Sequence, residues 1–205
     1  MTDRVVLAVV ASYLLGAIPT SLWVVRAVKG IDLRSVGSGN LGATNLYRLL
    51  GFGYAIPVAL FDALKGAVPV ALLGPWAGLG LVGSFLLGVL AVVGHAFSVF
   101  ANFKGGKGVA TGSGIVLGLA PWAFVVTLGV WIVTVRLSGY VSLGSILAAA
   151  VLPPAVWLLH PDRHAIVWGL AVLSATIIWL HRGNIRRLRD GTENRFGQHN
   201  AGEAA

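Results

Sequence analysis

The chain has 205 residues, of which 57% are hydrophobic and only 11% are charged, with a mean hydropathy of +0.85. About a quarter of the residues in a soluble domain are charged, so this composition excludes a soluble globular protein and indicates several membrane spans. The absence of cysteine excludes disulfides, thiolate metal sites and a cysteine nucleophile. The net charge of +8 is explained by basic loops facing anionic lipid, so it predicts no nucleic-acid partner.

Six apolar runs are long enough to cross a hydrocarbon core about 30 Å thick. They cover residues 4–28, 52–74, 78–100, 109–136, 141–159 and 163–181. The fourth run is ambiguous because Pro121 lies in its middle. It forms either one kinked helix, giving six spans, or two short helices that meet near the proline, giving seven.

The placement of basic residues favours the second alternative. Lys and Arg concentrate in residues 26–48, 104–107, 136 and 182–195, all of which the positive-inside rule assigns to the cytoplasm. Because the chain needs two crossings to return to the cytoplasm between residues 107 and 136, we expect an all-α integral membrane fold of seven transmembrane helices. The N-terminus is then outside and the C-terminus cytoplasmic. We expect one polytopic domain over residues 1–205, with a disordered tail over 193–205.

Small polar residues alternate with glycines between Arg34 and Arg48, in the string Arg-Ser-Val-Gly-Ser-Gly-Asn-Leu-Gly-Ala-Thr-Asn-Leu-Tyr-Arg. Glycine lets backbone N–H groups turn toward a ligand, and hydroxyl and amide side chains add uncharged donors. An anion-binding loop and a plain helix-capping loop both fit this string. The string is neither a Walker lysine loop nor a dinucleotide-binding fingerprint.

A second polar segment, Lys-Gly-Gly-Lys-Gly over residues 104–108, directly precedes an apolar run. A helix N-terminus with two lysines attracts phosphate by its dipole, its free N–H groups and its charge. Positive-inside anchoring is the alternative, but interleaved glycines favour close approach of a ligand. His95, upstream in Gly-His-Ala-Phe, is as consistent with an interfacial histidine as with a site residue.

A third segment, residues 181–193, follows the last apolar run. Helical spacing places His181 and Asn184 on one face and arginines on another, where lipid contact explains them. Ser142 lies on the same side of the membrane in the seven-span topology. Asp62 and Lys65, three residues apart within the second run, are expected to pair with each other.

Taken together and in this order, the three segments resemble the bacterial membrane acyltransferases that move a fatty acyl chain from acyl phosphate to glycerol 3-phosphate, the PlsY family. The strings that carry the resemblance are Gly-Ser-Gly-Asn-Leu-Gly-Ala-Thr-Asn, Gly-His-X-Phe with Phe-Lys-Gly-Gly-Lys-Gly-Val-Ala-Thr, and His-Arg-X-Asn-Ile-X-Arg-Leu-X-X-Gly-Thr-Glu. The likeness covers essentially the whole chain, and the family's seven-helix fold agrees with the topology argued from charge. Ser98 departs from the family, which usually has proline there, and this puts the local loop geometry in question.

The resemblance implies a multi-pass monomer of the bacterial inner membrane, with a cytoplasmic active site and no cofactor or metal. Its substrates would be acyl phosphate and glycerol 3-phosphate, and its products lysophosphatidic acid and inorganic phosphate. Catalytic roles fall on Ser38, Arg48, Lys107, His181 and Asn184. Substrate binding falls on Gly39, Asn40, Gly42, Thr44, Asn45, Lys104, Gly105, Gly106 and Ser142.

Several alternatives stay open at this point. The proton acceptor is either the donor phosphate or His181, and acyl-CoA or acyl carrier protein could serve as a secondary donor. An organic-anion transporter would also collect basic, glycine-rich segments, but we expect its polar binding residues near the bilayer midplane. A metal-dependent lipid phosphotransferase needs clustered aspartates, and the His-X4-Asp dyad of another large acyltransferase group is absent.

Overall fold

The computed structural model describes residues 2–197, which form eleven α-helices and, within that range, no strand. The helices are α1 (Thr2–Ala17), α2 (Thr20–Lys29), α3 (Ala43–Leu50), α4 (Phe52–Val68), α5 (Gly74–Trp76), α6 (Leu81–Ala96), α7 (Val109–Leu119), α8 (Pro121–Ser138), α9 (Val141–Leu159), α10 (His164–Leu180) and α11 (Arg182–Arg189). A π-helical stretch, Pro69–Leu73, joins α4 to α5. Short 3₁₀ turns span Leu33–Ser35, Val99–Ala101 and Pro161–Arg163.

The long helices pack as neighbouring pairs, α1 on α6, α4 on α7, and α8 and α10 on α9. Glycines bring α4 and α7 into backbone contact. A Cβ atom at Gly66 would lie 1.9 Å from the Thr111 carbonyl oxygen, and one at Gly114 would lie 1.9 Å from that of Ala63. Small residues at such crossings let membrane helices approach closely without a hydrophobic driving force. The two helices therefore form a tightly packed wall beside the functional cavity.

The expected break at Pro121 is present, since α7 ends at Leu119 and α8 begins at the proline. Within residues 2–197, five helical segments are long and apolar enough to span a membrane, or six if the α1–α2 pair, bent by 40°, counts as one span. Helix α7 has 11 residues, which at a rise of about 1.5 Å per residue is too short to cross the bilayer alone. The seven-span count and the orientation of the termini stay predictions.

Accessibility labelling of single cysteines tests this topology cleanly in a chain with no cysteine of its own. We expect cysteines at positions 136 and 189 to react with an impermeant reagent from the cytoplasmic side, and one at position 163 to react from outside. A cysteine at 136 that reacts only from outside would contradict the seven-span topology.

A buried ion pair stabilises the break between α1 and α2. Pro19 interrupts the helical hydrogen bonding there, and Lys65 Nζ donates to the freed Ile18 carbonyl at 2.5 Å. The same ammonium contacts Asp62 Oδ1 at 2.5 Å, and Thr20 Oγ1 donates to that oxygen at 3.4 Å. The side chains of Lys65 and Asp62 are 1% and 3% exposed. The expected pairing of these two residues is thus confirmed, and it joins α4 to the α1–α2 bend.

Lys65→Met should destabilise the protein by about 3–5 kcal/mol, because it leaves a carboxylate buried without its counter-charge. Thermal unfolding in detergent measures the loss. The matched control is the double variant with Asp62→Leu, in which no charge is left buried, and it should be more stable than Lys65→Met alone. A double variant less stable than the single one would contradict this account.

Of the tail predicted over residues 193–205, residues 193–197 are described and residues 198–205 lie outside the described part of the chain. Glu193 is 9% exposed and hydrogen-bonded on both carboxylate oxygens. The backbone N–H of Phe196 donates to the Gly139 carbonyl at 2.6 Å. Tertiary contacts with polar groups of α9 and α11 thus order a segment whose composition favours disorder.

Candidate active site

A cavity of about 540 Å3 lies where the polar segments meet, and its lining falls into a polar end and an apolar arm. The polar end gathers side chains from the loop before α3, the loop before α7, the start of α9 and the α10–α11 break. These residues are Ser38, Asn40, Gly42, Thr44, Asn45, Arg48, Lys107, Ser142, His181, Asn184, Arg187 and Glu193. All five residues predicted to be catalytic therefore line one cavity, together with five of the nine predicted to bind substrate.

Asn45 shapes the loop before α3 rather than facing a ligand with free polar atoms. Its Oδ1 accepts from the Ser38 N–H at 3.0 Å, and its Nδ2 donates to the carbonyls of Leu33 at 3.3 Å and Val36 at 3.1 Å. The side chain is 2% exposed. These hydrogen bonds hold the loop that presents Ser38, and the role of Asn45 as a direct substrate ligand stays a prediction.

Asn40 differs from Asn45 because the loop does not use its side-chain oxygen as an acceptor. Its Oδ1 is buried at the cavity wall and has no hydrogen-bond partner among the described residues. A buried acceptor without a partner costs about 1–3 kcal/mol, so this oxygen is suited to accept a hydrogen bond from a ligand hydroxyl.

Side chains far apart in sequence form one hydrogen-bonded chain through the polar end. Lys107 Nζ donates to Asn184 Oδ1, and Asn184 Nδ2 donates to Glu193 Oε1 at 2.6 Å. Ser142 Oγ donates to the same Glu193 oxygen at 2.7 Å. Arg187 Nε donates to Glu193 Oε2 at 2.7 Å. The carboxylate thereby fixes the rotamers of residues on α9 and α11, and through Asn184 it fixes the lysine.

Burial and the hydrogen-bond network together lower the pKa values of Lys107 and Glu193. Burial lowers the pKa of Lys107 to about 8, although the Glu193 carboxylate partly opposes the shift. Burial alone would raise the pKa of Glu193, but hydrogen bonds from Asn184, Ser142 and Arg187 outweigh it and leave the pKa below its ordinary value. Glu193 is thus a carboxylate at neutral pH, and Lys107 is a cation that loses its proton at moderately alkaline pH.

His181 is a neutral imidazole whose orientation is fixed by its own helix. Its Nδ1 lies 2.8 Å from the Ile177 carbonyl oxygen, so Nδ1 carries the proton and Nε2 is left as an acceptor. Burial lowers the pKa of His181 to about 4, and the Lys107 ammonium adds to the effect. The side chain is therefore a hydrogen-bond acceptor over the whole neutral range and a weak base.

The structure places three predicted substrate-binding residues away from this cavity. Gly39, Lys104 and Gly105 line a separate cavity of about 290 Å3, together with Arg34 and Leu41. The two lysines of the Lys-Gly-Gly-Lys string thus line different cavities.

Gly106, the remaining predicted substrate-binding residue, packs against His95 at the end of α6. The Gly106 N–H donates to the His95 carbonyl at 3.0 Å, and a Cβ atom at Gly106 would lie 2.1 Å from His95 Nε2. His95 is 9% exposed and lines the cavity. The glycine pair therefore lets the loop lie directly on α6, which sets the position of Lys107.

Ser98 preserves the loop geometry that a proline would impose. Its φ of −68° is within the range that proline adopts. Its hydroxyl donates to the Ala17 carbonyl, an acceptor freed where α1 ends. The substitution thus exchanges a rigid residue for one that caps α1.

The apolar arm of the cavity runs between α4 on one side and α8 and α9 on the other. Its lining includes Ile56, Ala59 and Leu60 from α4, and Phe124, Leu128 and Trp131 from α8. Three of these residues, Ile56, Leu60 and Leu128, are 40–62% exposed although they belong to packed helices. The arm is therefore open sideways toward the hydrocarbon.

The family model described as glycerol-3-phosphate acyltransferase matches residues 6–191 of the chain. The chain belongs to this family. The glycerol-3-phosphate acyltransferase 1 of Deinococcus radiodurans is 46% identical over 97% of this chain and 98% of its own length. That of Geobacter sulfurreducens is 44% identical over 96% and 99%.

Two crystal structures of an integral membrane glycerol 3-phosphate acyltransferase, PlsY (YgiH), share the fold of this acyltransferase family member. Its glycerol 3-phosphate form has a TM-score of 0.83 and 38% identity, covering 94% of this chain and 96% of that one. Its lysophosphatidic acid form has a TM-score of 0.85 and 36% identity, covering 94% and 95%. These matches and the apolar helices make the chain a multi-pass membrane acyltransferase.

Two residues of the polar end were not in the predicted set of this acyltransferase. Glu193 and Arg187 line the polar end, and the carboxylate connects its elements. The signal for Glu193 was its place at the end of the third string, Gly-Thr-Glu. It was overlooked because the same residue begins the stretch whose composition predicts a disordered tail.

Proposed function

We propose that this chain transfers a fatty acyl group from acyl phosphate to glycerol 3-phosphate, giving lysophosphatidic acid and inorganic phosphate. The observation that carries the proposal is a single cavity whose cationic, hydrogen-bonding end continues into an apolar arm open toward lipid. A soluble phosphate ester and a fatty chain can meet only in such a cavity. The glycerol 3-phosphate and lysophosphatidic acid forms of the structural relative support the same acceptor and product.

Glycerol 3-phosphate is proposed to bind in the polar end. Arg48 and Lys107 bring two positive charges to the cavity wall, where charge-assisted hydrogen bonds to phosphate are stronger than in water. The unpartnered Oδ1 of Asn40 and the Nε2 of His181 supply acceptors for the glycerol hydroxyls. The substrate thus has partners for both its anion and its hydroxyl donors.

The acyl chain of the donor is proposed to lie in the apolar arm. Each buried methylene group stabilises the complex by about 0.8 kcal/mol in water, whereas a chain that enters from lipid gains little from burial itself. The arm then orients the donor more than it adds affinity. Its phosphate is held near Ser38 and the N-terminus of α3, where Gly42 and Thr44 line the cavity.

The reaction needs orientation and charge stabilisation more than strong base catalysis. The glycerol hydroxyl oxygen attacks the acyl carbonyl carbon, the C–O bond to phosphate breaks, and the leaving phosphate carries away the electron pair. Because acyl phosphate is a mixed anhydride with a good leaving group, alignment of the reactants and cationic stabilisation of the oxyanion supply most of the rate.

The hydroxyl proton is proposed to pass to the donor phosphate. The second pKa of an acyl phosphate lies below the value of about 6 for a phosphate monoester, because the acyl group withdraws electrons, and the pKa of His181 is lowered further, to about 4. The donor phosphate is thus at least as strong a base as His181 and is already next to the reacting oxygen. His181 then accepts a hydrogen bond and orients the hydroxyl without taking its proton.

The proposed location is the bacterial inner membrane, with the polar end of the cavity facing the cytoplasm. The basic loops that carry the site residues favour that side. We propose that the protein is active as a monomer.

An assay with radiolabelled glycerol 3-phosphate distinguishes an enzyme from a transporter. Purified protein in detergent should convert the label to lipid-soluble product only when acyl phosphate is present. Uptake of unmodified label into vesicles, with no lipid product under any condition, would overturn the proposal in favour of transport.

His181→Ala should lower kcat by about a hundredfold and leave the acidic limb of the pH profile near pH 6 unchanged, because the titrating group there belongs to the substrate phosphate. The profile of kcat/KM between pH 4.5 and 9, in the wild type and the variant, measures this. His181→Asn, which restores an acceptor, is the matched control and should recover part of the rate. Loss of the acidic limb in His181→Ala would assign the base to the protein.

A further inference from the structure

The chain turns back over the polar end of the cavity after α11. Gly191, with φ of +69°, lies at the turn, and the Thr192 N–H donates to the Arg187 carbonyl at 2.8 Å. Glu193 and Asn194 then line the cavity. We call residues 193–196 the latch. The latch begins at Glu193, the last residue of the third string.

The far end of the latch is held by two other parts of the molecule. Phe196 stacks on Tyr47 of α3, with ring centroids 4.8 Å apart and an interplanar angle of 20°, and meets Phe52 edge-on at 5.7 Å. Its backbone N–H donates to Gly139 between α8 and α9. Arg195 Nε donates to the hydroxyl of Tyr140 in the same turn at 3.3 Å.

The near end of the latch completes the polar network. Its Glu193 carboxylate holds Ser142 of α9, and Asn184 and Arg187 of α11. If the latch left its place, these three side chains would lose their shared acceptor, and Asn184 would no longer hold Lys107 in a fixed position. The latch therefore connects three of the parts that supply the site: α3, which carries Arg48, and α9 and α11.

We infer that Phe196 is a positioning residue for acyl transfer: by docking on Tyr47 and the Gly139 carbonyl, it keeps Glu193 in the cavity and so prepares Asn184 and Lys107 for the phosphate of the acceptor. This inference rests on the proposed function for the identity of that acceptor. Phe196 is 37% exposed, so its removal leaves no cavity in the bundle core. An aromatic pair of this kind shifts a docking equilibrium by up to about tenfold.

Phe196→Ala should weaken glycerol 3-phosphate binding and raise its KM by about tenfold, with kcat within about twofold of wild type and an unchanged thermal midpoint. Phe196→Trp, which keeps a stacking ring, should restore the KM. A chain that ends at Gly197 is the matched truncation control and should keep wild-type kinetics. One that ends at Arg195 also loses the Phe196 N–H bond to Gly139, so it should raise the KM at least as much as Phe196→Ala.

A double-mutant cycle tests whether Phe196 acts through Glu193. In a Glu193→Gln background, Phe196→Ala should change the affinity for glycerol 3-phosphate by less than about twofold, because the carboxylate that it positions is already gone. A wild-type KM in Phe196→Ala, or full tenfold effects that multiply in the double variant, would overturn the inference. So would equal losses of stability and kcat, which indicate a structural role.

Equilibrium binding of labelled glycerol 3-phosphate distinguishes failure of the latch inference from failure of the proposed function. A wild-type chain that binds the ligand and makes no product counts against acyl transfer alone, and the latch is still judged by the affinity of Phe196→Ala. A wild-type chain that makes product, with Phe196→Ala unchanged, counts against the latch alone.

Discussion

Lys107→Ala should lower kcat/KM by about a thousandfold while the protein stays folded, because it removes a cation that is aligned on the phosphate of glycerol 3-phosphate in a partly buried cavity. The lysine is held by Asn184, which Glu193 orients in turn. Its position is therefore fixed before substrate arrives, and no other side chain can move into its place at low cost. Initial rates with both substrates varied, together with thermal unfolding in detergent, measure the effect.

Lys104→Ala is the matched control for this prediction. The two lysines lie in one glycine-rich loop, but Lys104 lines the separate smaller cavity and is exposed. Its removal should change kcat/KM by less than about threefold. Equal losses from the two variants would mean that the loop serves membrane anchoring and not catalysis.

The charge of Lys107 also predicts that kcat/KM falls at alkaline pH. Its folded pKa is lowered to about 8, so the ammonium is present below that pH and is lost as the pH rises through it. We expect kcat/KM to fall above about pH 8 in the wild type. Lys107→Arg should be less active at pH 7 but should keep its activity to higher pH, since arginine stays protonated.

Gly105→Ala should lower activity by at least about a hundredfold, because the added methyl group has no room. Its Cβ would lie 1.9 Å from the His95 carbonyl oxygen and 2.7 Å from that of Ala96, and both are backbone atoms of a packed helix end. The loop must therefore move away from α6, which displaces Lys107. Activity and the thermal midpoint in detergent should be measured together.

Gly53→Ala adds the same methyl group where nothing lies within 4 Å. It should leave activity unchanged and slightly raise stability, since alanine favours a helix more than glycine does. A second comparison uses Gly106, whose Cβ would meet the His95 ring. If close packing is the cause, His95→Ala should partly rescue Gly106→Ala. Normal activity of Gly105→Ala would contradict the packing explanation.

The site residues that sequence reasoning found are those whose side-chain chemistry identifies them locally. Lys107 and His181 can be identified because a cation or an imidazole beside an apolar run is unusual and suggests a functional role. Pro121 marks a helix break because proline cannot continue the helical hydrogen bonding. Their meeting in one cavity came from the family resemblance and not from spacing. The Lys107–Asn184 hydrogen bond joins residues 77 positions apart, so only tertiary packing could reveal it.

The remaining differences have the same physical origin. Asn45 has the composition of a ligand-binding residue, but the loop backbone uses its amide, and only the folded loop shows which groups need a partner. The residues from Glu193 to Phe196 are polar and charged enough to predict disorder, yet α3, α9 and α11 supply contacts that order them. Pro19 was hidden in a long apolar run, and the buried Lys65 that accommodates its break comes from another helix.

The central claim is that acyl phosphate is the donor at this site. The most direct measurement offers acyl phosphate, acyl-CoA and acyl carrier protein separately to the purified protein with labelled glycerol 3-phosphate, and quantifies both lysophosphatidic acid and free phosphate. Acyl phosphate should support product formation with one phosphate released for each lysophosphatidic acid formed, and Lys107→Ala should abolish both signals together. Product formed from a thioester donor alone, or without stoichiometric release of phosphate, would contradict the account.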